Sequence, residues 1–528
     1  MQPQLAADID PARRVSSPGH LVRRRSFLVL FAGVFAAACS PAPVSAPTAG
    51  PVAKPTTSAG PTAAPAATTA SQPTTAAAPA AKPTAAAPSA AVAPTTAPAT
   101  SSGPATIPFY TTESDPNTLA FYKQVADDFK QQHKDVDVKV TVYQDETQLQ
   151  FLTTAFQTGT DLGIFAPPSA FVADWASKGF LQPLDPLIQK IGPDDFLPGT
   201  LIPVGGKQYG MPFQANASAL WYRKDLFDQA GLKLPTTYAE FLAAAQALNK
   251  EGTVGIASTI GGSAQMALQF FAAYIHQAGW DYYDRQGNVT FDKPEVLDAV
   301  KRYVDIMKNA SKGMYNAGFG EILNTYIAGK AAMATFPGRL GVNTEAKAPD
   351  IAEKSGVIGV PAGPFMTGKL LYSGIQHYVV SSKTASPDAA MAYLQFLASG
   401  ENELNFAMSV PGHLLPPLNS LRAKLKDYKS DFMTKHSDWV LTLADLVPTS
   451  ADPILSMGST NSQKFDKISN TCPWASDVWG NNAVDNVLFQ EILIQGKDPE
   501  VAWKDASAKL KQVADTWKSN NPSWKPSA

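Results

Sequence analysis

Cysteine is nearly missing from this chain: residues 39 and 472 are the only two in 528. A disulfide-stapled fold is therefore excluded. Neither sign of charge dominates, with 43 basic against 45 acidic residues, so nothing in the balance points to nucleic acid or to a strongly acidic ligand. The six histidines, at 20, 133, 276, 377, 413 and 436, include no pair at metal-ligand spacing. HExxH, GxSxG and the Gly-Lys-Ser/Thr of a phosphate loop are all absent, and the sequence predicts neither a metal nor a cofactor. No run of about twenty apolar residues is present, so no segment is expected to cross a membrane.

What is present begins with "RRRSFLVLFAGVFAAACS", Arg23 to Ser40. Arg24 and Arg25 before Ser26, Phe27 and Leu28 fit a twin-arginine export pattern. The apolar run Phe27 to Ala38 is about a dozen residues, near the length of a signal peptide and short of a span. It ends in small residues before Cys39, which resembles a bacterial lipobox with Ala36 where Leu is usual. We expect residues 1–38 to be a signal peptide and Cys39 to be lipidated, the other reading being an ordinary signal cut nearby. Lipidated, Cys39 leaves Cys472 without a disulfide partner. Residues 39–106 are Ala, Pro, Thr and Ser with almost no aromatics, a composition too poor in apolar surface to offset ordering entropy. They predict a disordered linker, extended by proline, that holds a folded part off the membrane surface.

The remainder is long enough for two lobes. "TIPFYTT" predicts a strand, and "NTLAFYKQVADDFKQQH" a helix with apolar residues at helical spacing and Asn117 as its cap. "VDVKVTVY" alternates as a strand does, a helix covers about 147–157, and "LGIFA" is a further strand. This alternation predicts an α/β fold with a largely parallel sheet. "GKQYGMPFQANASALWYRKDLFDQAGL" reads as two strands broken at "QAN", then a short helix ended by Gly231. "SPDAAMAYLQFLAS" reads as a helix capped by Ser386 with Pro387 at its first position, and helices fill most of the last ninety residues.

Five stretches, in order, carry a family resemblance. They are "YGMPFQANASALWYRKDLFDQAGL", "AEFLAAAQAL", "YIAGKAAMATFPGRLG", "SGIQHYVVSSKTASPDAAMAYLQFLAS" and "PGHLLPP". Together they resemble the extracellular solute-binding proteins of ABC importers, in the sugar-binding branch related to maltose-binding protein. Arg223 stands where Asn is common in that family, and Arg339 where an aromatic is common. The resemblance implies a two-lobe, type II periplasmic-binding-protein fold. Lobe 1 would be 107–214 with about 375–412, and lobe 2 would be 215–374 with about 413–528. A ligand would lie in the cleft between them, favouring closure, and the loaded protein would dock on a membrane permease. The expected product is a monomeric, non-catalytic lipoprotein on the outer face of the cytoplasmic membrane that captures a sugar or small oligosaccharide. The alternatives are a binding protein for a polyamine, a phosphate ester or an anionic sugar acid, or a surface glycoside hydrolase, which would need two opposed carboxylates.

Sugar recognition asks for aromatic faces and for planar groups that pair with adjacent hydroxyls. The resemblance places Glu113 and Ser114 at the end of the first strand, where they would face the cleft or else cap the next helix. Ser169 follows "IFAPP" at a position that is often polar. Asn216 lies at the lobe crossing, as a ligand contact or a buried hinge hydrogen bond. Trp280 replaces a family glycine and would stack on the ligand or close the core. Arg339 would fork onto hydroxyls or a carboxylate, or form a surface ion pair. Tyr372, Ser373, His413, Trp474 and Trp479 are further cleft candidates.

Overall fold

The computed structural model describes residues 105–261, 266–361, 363, 371–454 and 472–526. The expected signal peptide, Cys39 and the linker up to residue 104 lie outside them, as do the side chains of Tyr372 and Ser373.

The strand β1 (Ala105–Thr111) runs parallel to β2 (Val136–Val142) and to β3 (Ile164–Phe165). The helices that link them are Pro116–Gln132 and Asp145–Thr158. The first buries Phe121, Tyr122, Val125 and Phe129, one face of a 3.6-residue period. Its cap is Asp115 rather than the expected Asn117, and the Asp115 side chain makes no capping bond. A short hairpin of β4 (Pro203–Val204) and β5 (Lys207–Gln208) precedes β6 (Met211–Ala217).

β6 corrects the sequence reading. It runs unbroken through Gln214, Ala215 and Asn216, and the interruption falls at Ser218, before β7 (Ala219–Arg223). Pairing on both sides explains this: Ala215 N–H donates to Leu415 on one flank, while β10 (Leu371–Val380) runs antiparallel on the other. Tertiary pairing overrides the weak strand propensity of two carboxamides.

Two larger sheets result. The first has six strands, in the order β11 (Ser450–Ala451), β10, β3, β1, β2, with β6 also paired to β10. The second has three antiparallel strands, with β7 between β8 (Met333–Phe336) and β9 (Ser355–Ile358). The helices Tyr238–Leu248 and Pro294–Met307 bury their apolar faces in the cluster that holds Trp221 of this second sheet, and Met266–Gln277, buried nearly all round, packs against β10. The C-terminal helices Val484–Leu493 and Pro499–Asn520 join the same body. Two bonds fix the last of them: Trp503 donates to the Phe291 carbonyl at 2.7 Å, and the Tyr283 hydroxyl donates to the Leu510 carbonyl at 3.0 Å.

One apolar cluster, built on Phe109, Tyr122, Phe129, Phe213, Tyr378 and Tyr393, fills one face of the first sheet. A larger one starts at Phe165, Phe171 and Trp175, passes Ala215 and Ala217 on β6, and continues around Trp221 and Phe271 under the second sheet. The crossing strands are therefore packed rather than solvated. Among the described residues, no helix is long and apolar enough to cross a membrane.

Candidate binding site at the lobe crossing

β6 and β10 pass together from one sheet toward the other, in a register from Met211 opposite Tyr378 to Ala217 opposite Ser373. A strand's period of two puts Gln214 and Asn216 on one face of β6, and Ser218 follows at the interruption. All three are buried, Gln214 completely. Neither amide atom of Gln214, nor the hydroxyl of Ser218, has a hydrogen-bond partner among the described residues. Asn216 lies opposite Gly374, where a Cβ would come within 2.9 Å of its Oδ1. Glycine there makes room for the carboxamide.

Side chains from two directions hold the Ile375 peptide on β10. Ser169, the first residue of the helix Ser169–Ser177, donates from Oγ to the Ile375 carbonyl at 2.9 Å. Asp452 accepts the Ile375 N–H at 3.4 Å. The β10 register shifts between Gln376 and His377, and the His377 ring turns inward to bond the Thr200 carbonyl, with Nε2 at 2.5 Å. Burial pushes the His377 pKa down to about 4.

A charged cluster closes the crossing. Arg339 opens the helix Arg339–Lys347, just after β8 of the second sheet. Its Nη2 lies 2.6 Å from Oε2 of Glu113, and its Nη1 2.5 Å from Oδ2 of Asp115, both just past β1 of the first sheet. Glu113 is only 3% exposed. Burial raises its pKa, and the Arg339 charge and hydrogen bond oppose that rise. Gly338 fixes the approach of the arginine, since a Cβ on it would stand 2.1 Å from the Gly412 carbonyl oxygen. His413, next in that segment, is buried, and burial first and the Arg339 charge second hold its pKa well below the imidazole range. Carboxamides, a hydroxyl and paired ions in a desolvated crossing can bind a polar solute by hydrogen bonds. Among the described residues, no group of three His, Cys, Asp or Glu could hold a metal ion.

The model of the bacterial extracellular solute-binding protein family matches residues 112–403, more than half of the chain. The chain belongs to that family. It is a solute-binding protein of the ABC-transporter type, with the two-lobe, type II fold. A binding protein of Brucella abortus is 23% identical over 407 residues, covering 76% of this chain and 91% of that relative. The mannitol-binding protein of Pseudomonas aeruginosa is 31% identical over 227 residues, covering 41% of this chain and 52% of its own. Among solved structures, maltose-bound MalE3 of T. maritima superposes with a TM-score of 0.64 at 20% identity, covering 78% of this chain and 100% of its own. An ABC transporter solute-binding protein of Agrobacterium vitis with bound D-mannitol gives 0.61 at 22% identity, covering 80% and 100%.

In this solute-binding protein the structure brings Glu113, Arg339 and His413 together, and ties Ser169 to the crossing strand that carries Ser373. Ser114 is exposed beside Glu113. Tyr372 and Ser373 are placed on β10, in register with Ala451 and Ala217. Trp280 is half-buried on the second body, with the Lys293 ammonium 5.6 Å from its ring centre. Trp474 is fully buried against Tyr283, Trp517 and Trp524, ring partners that all lie away from the crossing strands. Trp479 is buried edge-on to Tyr282, within the π-helical turn Ser476–Asn481. Sequence reasoning missed Asp115, Gln214, Ser218 and Asp452. Asp115 had a signal, since an acid two residues after Glu113 shares its exit from β1; the bond from Ile375 to Asp452 joins residues 77 apart and left none.

Proposed function

We propose that this protein captures a sugar, sugar alcohol or small oligosaccharide outside the cytoplasm and delivers it to the permease of an ABC importer. The observation that carries this reading is the buried polar pair on the crossing strand, Gln214 and Asn216, opened by Gly374, with buried Ser218 just past the strand's end. A carboxamide offers a donor and an acceptor side by side, which suits vicinal hydroxyls and wastes capacity on an apolar solute. The names of the relatives agree with this: one is a mannitol-binding protein, and the superposable structures hold maltose and D-mannitol. Ser169, Asn216, Ser373 and Tyr372 are our candidate solute contacts on or beside the crossing, with Ser114 and Trp280 at its margins. Glu113, Arg339 and His413 would form its wall, and Trp474 and Trp479, packed in the core of the second body, are not among the contacts proposed. Solute bridging both lobes shifts the equilibrium toward the closed form by its differential affinity, and the closed form is what the permease would read. Cys39, lipidated, would keep the monomeric protein at the outer face of the membrane, with the proline-rich linker setting its reach.

A thermal-unfolding screen of neutral sugars, hexitols, uronates, polyamines and amino acids tests the reading, since a ligand selective for the folded state raises the melting temperature. Neutral carbohydrates should be the hits. Stabilisation by polyamines alone would discard the carbohydrate assignment. For the anchor, Cys39→Ala should release intact protein from the membrane fraction, and unchanged localisation would remove the lipid from the account.

A further inference from the structure

Granting the carbohydrate reading, the ion pairs of Arg339 determine the charge of the solute. We infer that Arg339 is a closure and specificity residue: held by two carboxylates of the opposite lobe, it closes the cleft on uncharged polyhydroxy solutes and excludes anionic ones.

A guanidinium in a binding cleft ordinarily suggests an anion receptor, because its fork of N–H groups matches a carboxylate. Here both terminal nitrogens are engaged within the protein, Nη2 by Glu113 at 2.6 Å and Nη1 by Asp115 at 2.5 Å. The acids leave β1 of the first sheet, whereas the arginine enters from β8 of the second, so each pair spans the two lobes. Gly338 packs against Gly412 and His413 too closely for any other residue, which leaves the Arg339 turn little freedom to swing elsewhere.

A solute carboxylate has two ways to use this guanidinium, and both are unfavourable. It can displace an acid, which strands Glu113, only 3% exposed, without its counter-charge. Or it can sit beside both acids, adding a third like charge to the cluster. A hydroxyl meets neither obstacle. It can donate to a carboxylate oxygen while the ion pair stays in place.

The test is thermal unfolding of the purified protein with neutral hexoses, hexitols and disaccharides on one side and D-glucuronate and D-galacturonate on the other, at equal concentrations. The wild type should be stabilised by a neutral compound and by neither uronate. Glu113→Gln combined with Asp115→Asn releases the guanidinium, and that variant should acquire a stabilising shift with a uronate. Asp115→Asn alone, at the more exposed end, gives the same readout in a smaller form if the double variant does not fold. A uronate that stabilises the wild type, with the shift lost in Arg339→Met, overturns the inference while leaving the carbohydrate reading intact. Stabilisation by no carbohydrate of either charge overturns both.

Discussion

His377 lies beneath the crossing, its ring against the Thr200 carbonyl, with burial holding its pKa near 4, below the ordinary 6.5. The neutral ring is the form the fold accepts. Its contribution is complete above the unfolded value and is lost as pH falls through about 4, roughly 3 kcal/mol in all. Asp485 runs the other way. Burial pushes its pKa up to about 7, only partly offset by the Tyr282 hydroxyl that donates to Oδ1 at 3.0 Å. Its contribution is complete below about 4 and is lost as pH rises through 7. Denaturant unfolding at pH 4.5 and pH 8 should separate the two. His377→Gln should lessen the acid loss. Asp485→Asn should leave stability at acid pH unchanged and raise it by up to about 3–4 kcal/mol at pH 8. A third side chain bears on binding rather than folding. As a solute contact, Asn216→Ala should weaken binding by about 1–3 kcal/mol, measured by titration calorimetry against the best neutral ligand, with the ligand-free melting temperature nearly unchanged.

At the scale of elements, periodic segments were readable because their burial follows their period. The helix Pro116–Gln132 and the strands β1 and β2 fall where the apolar spacing put them. Ser386 does precede Pro387 as a helix cap, although its side chain makes no capping bond. The failure at "QAN" came from treating polarity as a break, when those carboxamides belong to a strand paired on both flanks. Glu113 and Arg339 were each singled out, but their pairing joins residues 226 apart and is set by the crossing geometry, which no local pattern encodes. Two local devices give measurable expectations. Thr237 accepts from the Glu240 N–H while Glu240 reaches back to the Thr237 N–H, so Thr237→Ala should cost about 1 kcal/mol in urea unfolding. Gly338→Ala, forced against the Gly412 carbonyl, should cost about 1–3 kcal/mol and move Arg339 off its acids.

Across the whole molecule, the Arg339 pairs act on the lobe equilibrium as well as on the solute. Each pair can form only while the lobes stand together, so removing the arginine should loosen the ligand-free protein. Small-angle scattering should report a larger radius of gyration for Arg339→Met than for wild type, and saturating solute should narrow the difference. An equal radius for the two would mean that the pairs follow closure without favouring it. The path of the chain has a further consequence, which concerns synthesis. The polypeptide leaves the first sheet at the end of β6 and returns to it only with β10, whose last residues pair with β3. A ribosome delivers strands in sequence order. While the intervening body is being made, the edge of β3 and the flank of β6 wait for a partner not yet translated, and an uncovered edge recruits other chains. Chains stopped before Leu371 should therefore collect as aggregates, and those carried through Val380 should be recovered in soluble form far more often. The strand that joins the lobes is also the one whose arrival ends the nascent chain's exposure.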